Sequence, residues 1–110
     1  MTPLKAGDVV TGQFAGSQMD KVRPAVVISS DVYQANRPDV VICFLTTQIA
    51  GATSPTDYIL ANWKAAGLNQ PSAFRSFFVT VRKSEVSKIG RLSDVDWDEV
   101  KARLKLAIQI

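Results

Sequence analysis

The run Val40-Val41-Ile42-Cys43-Phe44-Leu45 has no polar side chain at any position. A strand that is apolar on both faces has to be covered on both faces, so it belongs in the middle of a sheet. The run is far too short to cross a bilayer. Upstream lies a second apolar run, Arg23-Pro24-Ala25-Val26-Val27-Ile28-Ser29, one hairpin's length away. The upstream run begins with a guanidinium. The Val40 run leads into Thr46, Thr47 and Gln48. As antiparallel neighbours they would bring the start of one beside the exit of the other, with Arg23 and Thr46 at one end of a sheet. A fixed cation beside a hydroxyl donor is a site for a phosphate.

The rest of the chain reads as short strands joined by turns. Gly7-Asp8 forms a turn feeding a strand over 9–14, with Gly12 as a candidate bulge. A strand over 24–29 follows an exposed polar loop. Ser30 caps a short helical turn through Tyr33 to Ala35. The central strand covers 40–46, and a Gly/Ser/Pro/Thr loop covers 50–56. Residues 57–60 form a short edge strand. Residues 62–66 make one helical turn ended by Gly67. A further strand spans 73–81, and 88–92 is a last extended piece. Ser93 is a strong N-cap with Asp96 three residues on. Trp97, Val100, Leu104, Ala107 and Ile108 recur at helical spacing, which predicts an amphipathic helix over 94–108 packed across a sheet. Leu106 and Ile110 fall off that stripe and are available to another chain. The expected fold class is α+β, a small strongly curved sheet or partly open barrel with a C-terminal helix. A chain of 110 residues with no repeat or composition shift is expected to be one domain over 1–110.

Composition removes several chemistries. The chain has no histidine and one cysteine, which excludes Ser-His-Asp and Cys-His catalysis, His-ligated metals and an internal disulfide. Cys43, inside the apolar run, is expected to be buried and inert. No acidic cluster has the spacing of a magnesium site, so neither metal nor cofactor is expected. The N-terminus lacks a secretory apolar segment, and the expectation is a soluble cytoplasmic protein with no membrane role. The net charge of +3 and pI near 9.2 permit a polyanionic partner. Asp94, Asp96, Asp98 and Glu99 collect at the start of the last helix, which leaves a more basic remainder.

Each candidate has a plainer reading beside it. Arg23 also fits a solvated residue at a strand start, and Thr46 and Thr47 fit ordinary strand-end threonines. Phe74, Phe77 and Phe78 fit a core or a subunit interface better than a base-stacking platform. Trp63 fits three roles: stacking on a base, contacting a partner or covering the sheet. Lys21, Gln48, Arg75 and Arg82 are further candidate phosphate or RNA contacts.

Five segments, Gly7-Asp8-Val9-Val10, Arg23 to Ser29, Leu45-Thr46-Thr47-Gln48, Pro71-Ser72-Ala73-Phe74-Arg75 and Ile89-Gly90-Arg91-Leu92-Ser93-Asp94, stand in an order and spacing that resembles the MazF/PemK family of toxin endoribonucleases. The resemblance spans nearly the whole chain. It implies an SH3-like (CcdB/MazF-type) barrel with a C-terminal helix, a homodimer and a cognate antitoxin that blocks the RNA groove. It also implies metal-independent cleavage of single-stranded RNA, with Arg23 and Thr46 as the catalytic pair; Lys21, Thr47, Gln48, Arg75 and Arg82 are the candidate RNA contacts beside them. One branch of the family adds an arginine and a nearby aspartate on a later strand. Arg75 matches that arginine, and the aspartate position falls on Phe77. Two alternatives stay open: a relative that only binds RNA or the antitoxin, and a gyrase-directed toxin like the CcdB relatives. The second is disfavoured because the chain ends in Ala107-Ile108-Gln109-Ile110 and not in a tryptophan-bearing end.

Overall fold

The computed structural model describes residues 3–13 and 22–109. The element order is β1 (Asp8–Gln13), β2 (Val22–Val27), α1 (Asp31–Ala35), β3 (Asp39–Thr46), β4 (Tyr58–Ile59), β5 (Ala73–Arg82), β6 (Ser87–Arg91) and α2 (Asp94–Ala107). A 3-10 turn over Ile49–Gly51 follows β3, and another over Lys83–Glu85 separates β5 from β6. All pairings are antiparallel. The strands form one six-stranded sheet in the order β4-β5-β3-β2-β1-β6. The sheet curls into a half-barrel with α2 against it.

Position in the sheet follows from the residue pattern. β3 lies between β5 and β2, and Val40, Ile42, Cys43, Phe44 and Leu45 are all buried. Its side chains alternate between two apolar clusters, as a pleat requires. Cys43 and Leu45 join Val9, Val26, Phe74 and Val100 on the face covered by α2. Ile42 and Phe44 join Val10, Ala25 and Val27 on the other face, with Val79, Val81 and Val86 packed against them.

The helix α2 starts where the sequence places its cap. The Ser93 hydroxyl accepts the Asp96 N–H at 3.2 Å. The Asp96 carboxylate is fully buried and turns away from the helix. It accepts the Tyr58 hydroxyl at 2.6 Å and the N–H groups of Ala61 and Asn62 at 2.9 and 2.8 Å. One carboxylate thus ties the helix start to β4 and to the loop after it. That loop closes on β6. Gly67 sits at φ +88°, which favours glycine, and a Cβ on Gly90 would strike the Ala66 carbonyl.

Several expectations are corrected. The ladder irregularity of β1 lies between Val9 and Val10, against β6, and not at Gly12. The helical turn expected over 62–66 is instead a run of turns over 63–67, with Gly67 at its end as expected. Val100 is buried and Trp97 and Leu104 pack on the first cluster, but Ala107 and Ile108 are exposed. Helical spacing alone does not show where the sheet beneath the helix stops.

Candidate active site

Strand β2 supplies the cation. Its register against β3 is Ala25↔Phe44, Val26↔Cys43 and Val27↔Ile42. Pro24 has no N–H to give a ladder, and the pairing with β3 begins only at Ala25. Continued by two residues, the same register sets Arg23 opposite Thr46. Both are partly exposed. The alternation that puts Phe44 on the second cluster's face puts Thr46 on that face too. The Arg23 guanidinium lies there as well, 4.7 Å from the centre of the Phe44 ring. That placement holds a long side chain by a cation–π contact of about 0.5–1 kcal/mol. Among the described residues, no carboxylate stands within ion-pair distance of Arg23.

Thr46 is the last residue of β3. Its hydroxyl oxygen accepts the Gln48 N–H at 3.1 Å, so the hydroxyl is oriented while its own hydrogen remains to be donated. Thr47 and Gln48 are exposed directly after it. The Gln48 carbonyl accepts the Gly51 N–H at 3.1 Å and fixes the turn.

Arg75 comes from β5. Its Nε lies 3.9 Å from Oδ1 of Asp57, whose other carboxylate oxygen accepts the Ser54 N–H at 3.2 Å. The aspartate is buried and the arginine half-exposed, so a fixed acid steadies a solvent-facing cation. Sequence reasoning passed over Asp57 as a partner, because the pair forms across the β4–β5 boundary. The signal in the sequence was weak: an acid directly before an edge strand.

The structure does not bring Arg82 to this place. Arg82 pairs with Asp39 at the far end of β3, while Thr46 pairs with Ala73. Seven steps of strand separate the two ends, about 23 Å at 3.3 Å per residue. Arg82 lines a different cleft of about 1340 Å³, together with Leu4, Lys5, Lys83 and Lys88. That cleft is therefore separate from the end of β3 that carries Thr46. Lys21 lies outside the described residues.

The aromatic residues divide. Phe74 is fully buried, Phe78 partly exposed and Phe77 62% exposed. Trp63 covers the first cluster. Phe44 was missed as a site residue because a central strand hides its role as a support for Arg23. Cys43 is buried, and desolvation pushes its thiol up to about 12, which removes it as a nucleophile at neutral pH. Among the described residues there is no group of three or more metal-ligating side chains, and no helix is long and apolar enough to cross a membrane.

The fold is similar to an endoribonuclease in complex with its cognate antitoxin from a mycobacterial species, at 19% identity and a TM-score of 0.75 over 97% of this chain and 94% of that one. A toxin MazF of Mycobacterium tuberculosis matches at 22% identity and 0.72, covering 91% and 94%. A MazE-MazF structure from Deinococcus radiodurans matches at 20% identity and 0.70, covering 94% and 93%. No curated protein matches the sequence significantly. Residues 5–108 match the profile described as PemK-like, MazF-like toxin of type II toxin-antitoxin system. With nearly its whole length covered by that profile, the chain belongs to the PemK-like, MazF-like toxin family of type II toxin-antitoxin systems.

Proposed function

We propose that this toxin is a metal-independent endoribonuclease that cuts single-stranded RNA in the cytoplasm. It acts as a homodimer and is restrained by a cognate antitoxin. The observation that supports the reading is the antiparallel register Ala25↔Phe44 of β2 on β3, which, extended by two residues, would bring Arg23 beside Thr46, with both residues partly exposed. Its likeness to an endoribonuclease bound to its antitoxin and to a MazE-MazF structure supports the same direction.

RNA carries its own nucleophile, the 2′-hydroxyl. The 2′-oxygen attacks the adjacent phosphorus, the bond to the 5′-oxygen breaks, and a 2′,3′-cyclic phosphate and a free 5′-hydroxyl result. The enzyme's task is in-line positioning and stabilisation of charge on the non-bridging oxygens. The planar guanidinium of Arg23 suits two of those oxygens, and the Thr46 hydroxyl gives one further hydrogen bond. The 2′-hydroxyl proton passes to water: among the described residues no carboxylate stands within ion-pair distance of Arg23, and Asp57 is buried and paired with Arg75. Water returns a proton to the leaving oxygen. Thr47, Gln48, Arg75 and Lys21 are assigned to the RNA track, with Arg82 as an outlying contact.

The test is incubation of purified protein with single-stranded RNA in excess chelator, followed by mapping of the new ends. Cleavage with cyclic phosphate ends is expected. Thr46→Ala should lower the rate by about 10²- to 10³-fold, as loss of one donor to a developing oxyanion does. Binding without fragments would instead favour a non-catalytic relative, a reading that the phenylalanine at position 77 supports.

A further inference from the structure

Phe77 is a large aromatic side chain that the fold keeps out of both clusters. It is 62% exposed, while Phe74 and Val79 of the same strand pack inward. A register change places it. Cys43 pairs with Phe78 and Leu45 with Phe74, so Arg75, Ser76 and Phe77 stand against the single residue Phe44. Such bulges re-aim side chains and gather beside active sites.

The residues around the ring are held. The Ser76 hydroxyl donates to the Thr56 carbonyl at 2.7 Å, and Arg75 is steadied by Asp57. Phe77 meets Phe44 with ring centres 5.5 Å apart and planes tilted by 56°. Phe44 in turn supports Arg23. A single buried ring therefore connects the exposed ring to the guanidinium assigned to the scissile phosphate.

We propose that Phe77 is the base-stacking platform of a nucleotide subsite next to the reacting phosphate, with Arg75 contacting the adjoining phosphate. The inference rests on the RNA reading above and extends it to how the substrate is gripped. Stacking tolerates any base, because every base has a π-face. The rival occupant of the ring is a second copy of the chain. Charge favours RNA: Arg23 lies over Phe44, the ring that Phe77 meets, Arg75 stands two residues before Phe77 on β5, and both cations match a polyanion. A two-fold contact centred here would set these cations against their own copies.

The experiment uses the full chain and a short fluorescent RNA whose 2′-hydroxyls are methylated, so that binding is read without cleavage. Phe77→Ala should weaken binding by roughly 5- to 100-fold, with unchanged melting temperature and unchanged mass by light scattering. Phe77→Trp should retain the parent affinity. Phe77→Leu, which keeps bulk without a π-face, should bind as poorly as Phe77→Ala. Parent affinity in Phe77→Ala, or rescue by leucine, overturns the proposal. Dissociation of the Phe77→Ala protein into monomers assigns the ring to a second copy and overturns it as well. A parent protein that binds no oligonucleotide sinks the RNA reading itself, a result distinct from equal binding by parent and variant.

Discussion

At the scale of single residues, burial decides which polar groups hold structure and which are left for chemistry. Tyr58 and Asp96 share a 2.6 Å hydrogen bond. Desolvation, and then that bond, push the Tyr58 hydroxyl up to about 12. The fold therefore favours the protonated phenol. Its contribution to stability is complete below the ordinary tyrosine value of about 10 and is lost as pH rises through 12. Cys43, raised by burial to about 12 as well, loses stability over a window that opens from the lower thiol value. Urea unfolding should thus show stability falling above pH 10, and more shallowly in Tyr58→Phe than in the parent. Equal slopes would contradict the assignment. Arg23 differs in kind: it rests on Phe44, with no carboxylate in ion-pair range among the described residues. That contrast separates a group used by the fold from a group presented to a ligand.

At the scale of elements, α2 shows what a sequence reveals and what it hides. Ser93 as N-cap is legible because capping is local, settled by residues three apart. The second job of Asp96, holding the N–H groups of Ala61 and Asn62, is not, because its partners lie over thirty positions away. Asp96→Ala should lower unfolding free energy by about 2–4 kcal/mol, since it strands buried donors. Ser93→Ala should cost about 1 kcal/mol. Chemical denaturation compares them, and equal losses would refute the clamp. Gly90→Ala should unfold the β6 docking outright, because its Cβ meets the Ala66 backbone; retention of the parent melting temperature would count against that closure. The β5 bulge was equally illegible. Periodicity along one strand does not show how many of its residues face Phe44, and so the exposure of Phe77 could not be foreseen. The central position of β3 was legible, because a run apolar on both faces has no other stable place.

At the scale of the whole molecule, the sheet joins separated stretches: Arg23 and Phe77 both meet the Phe44 ring, and Arg75 meets Asp57. The antiparallel pairing of the two apolar runs was legible in the sequence, and β2 does pair with β3. The sequence does not show that Arg82, on the same strand as Arg75, ends about 23 Å from Thr46. Leu106 and Ile108 are exposed at the end of α2, and a symmetric dimer would give such apolar surface a cover while doubling the basic track. Light scattering at micromolar concentration should return twice the chain mass of 12.0 kDa; a strict monomer would contradict the dimer. The central claim is that Arg23 stabilises the phosphate as the 2′-oxygen attacks. Its most direct test is the cleavage rate of Arg23→Ala relative to the parent, on the same RNA, in chelator, with both proteins shown folded by their melting temperatures. The account predicts a rate lower by at least about 10²-fold, and an Arg23→Ala protein that cuts at the parent rate would contradict it.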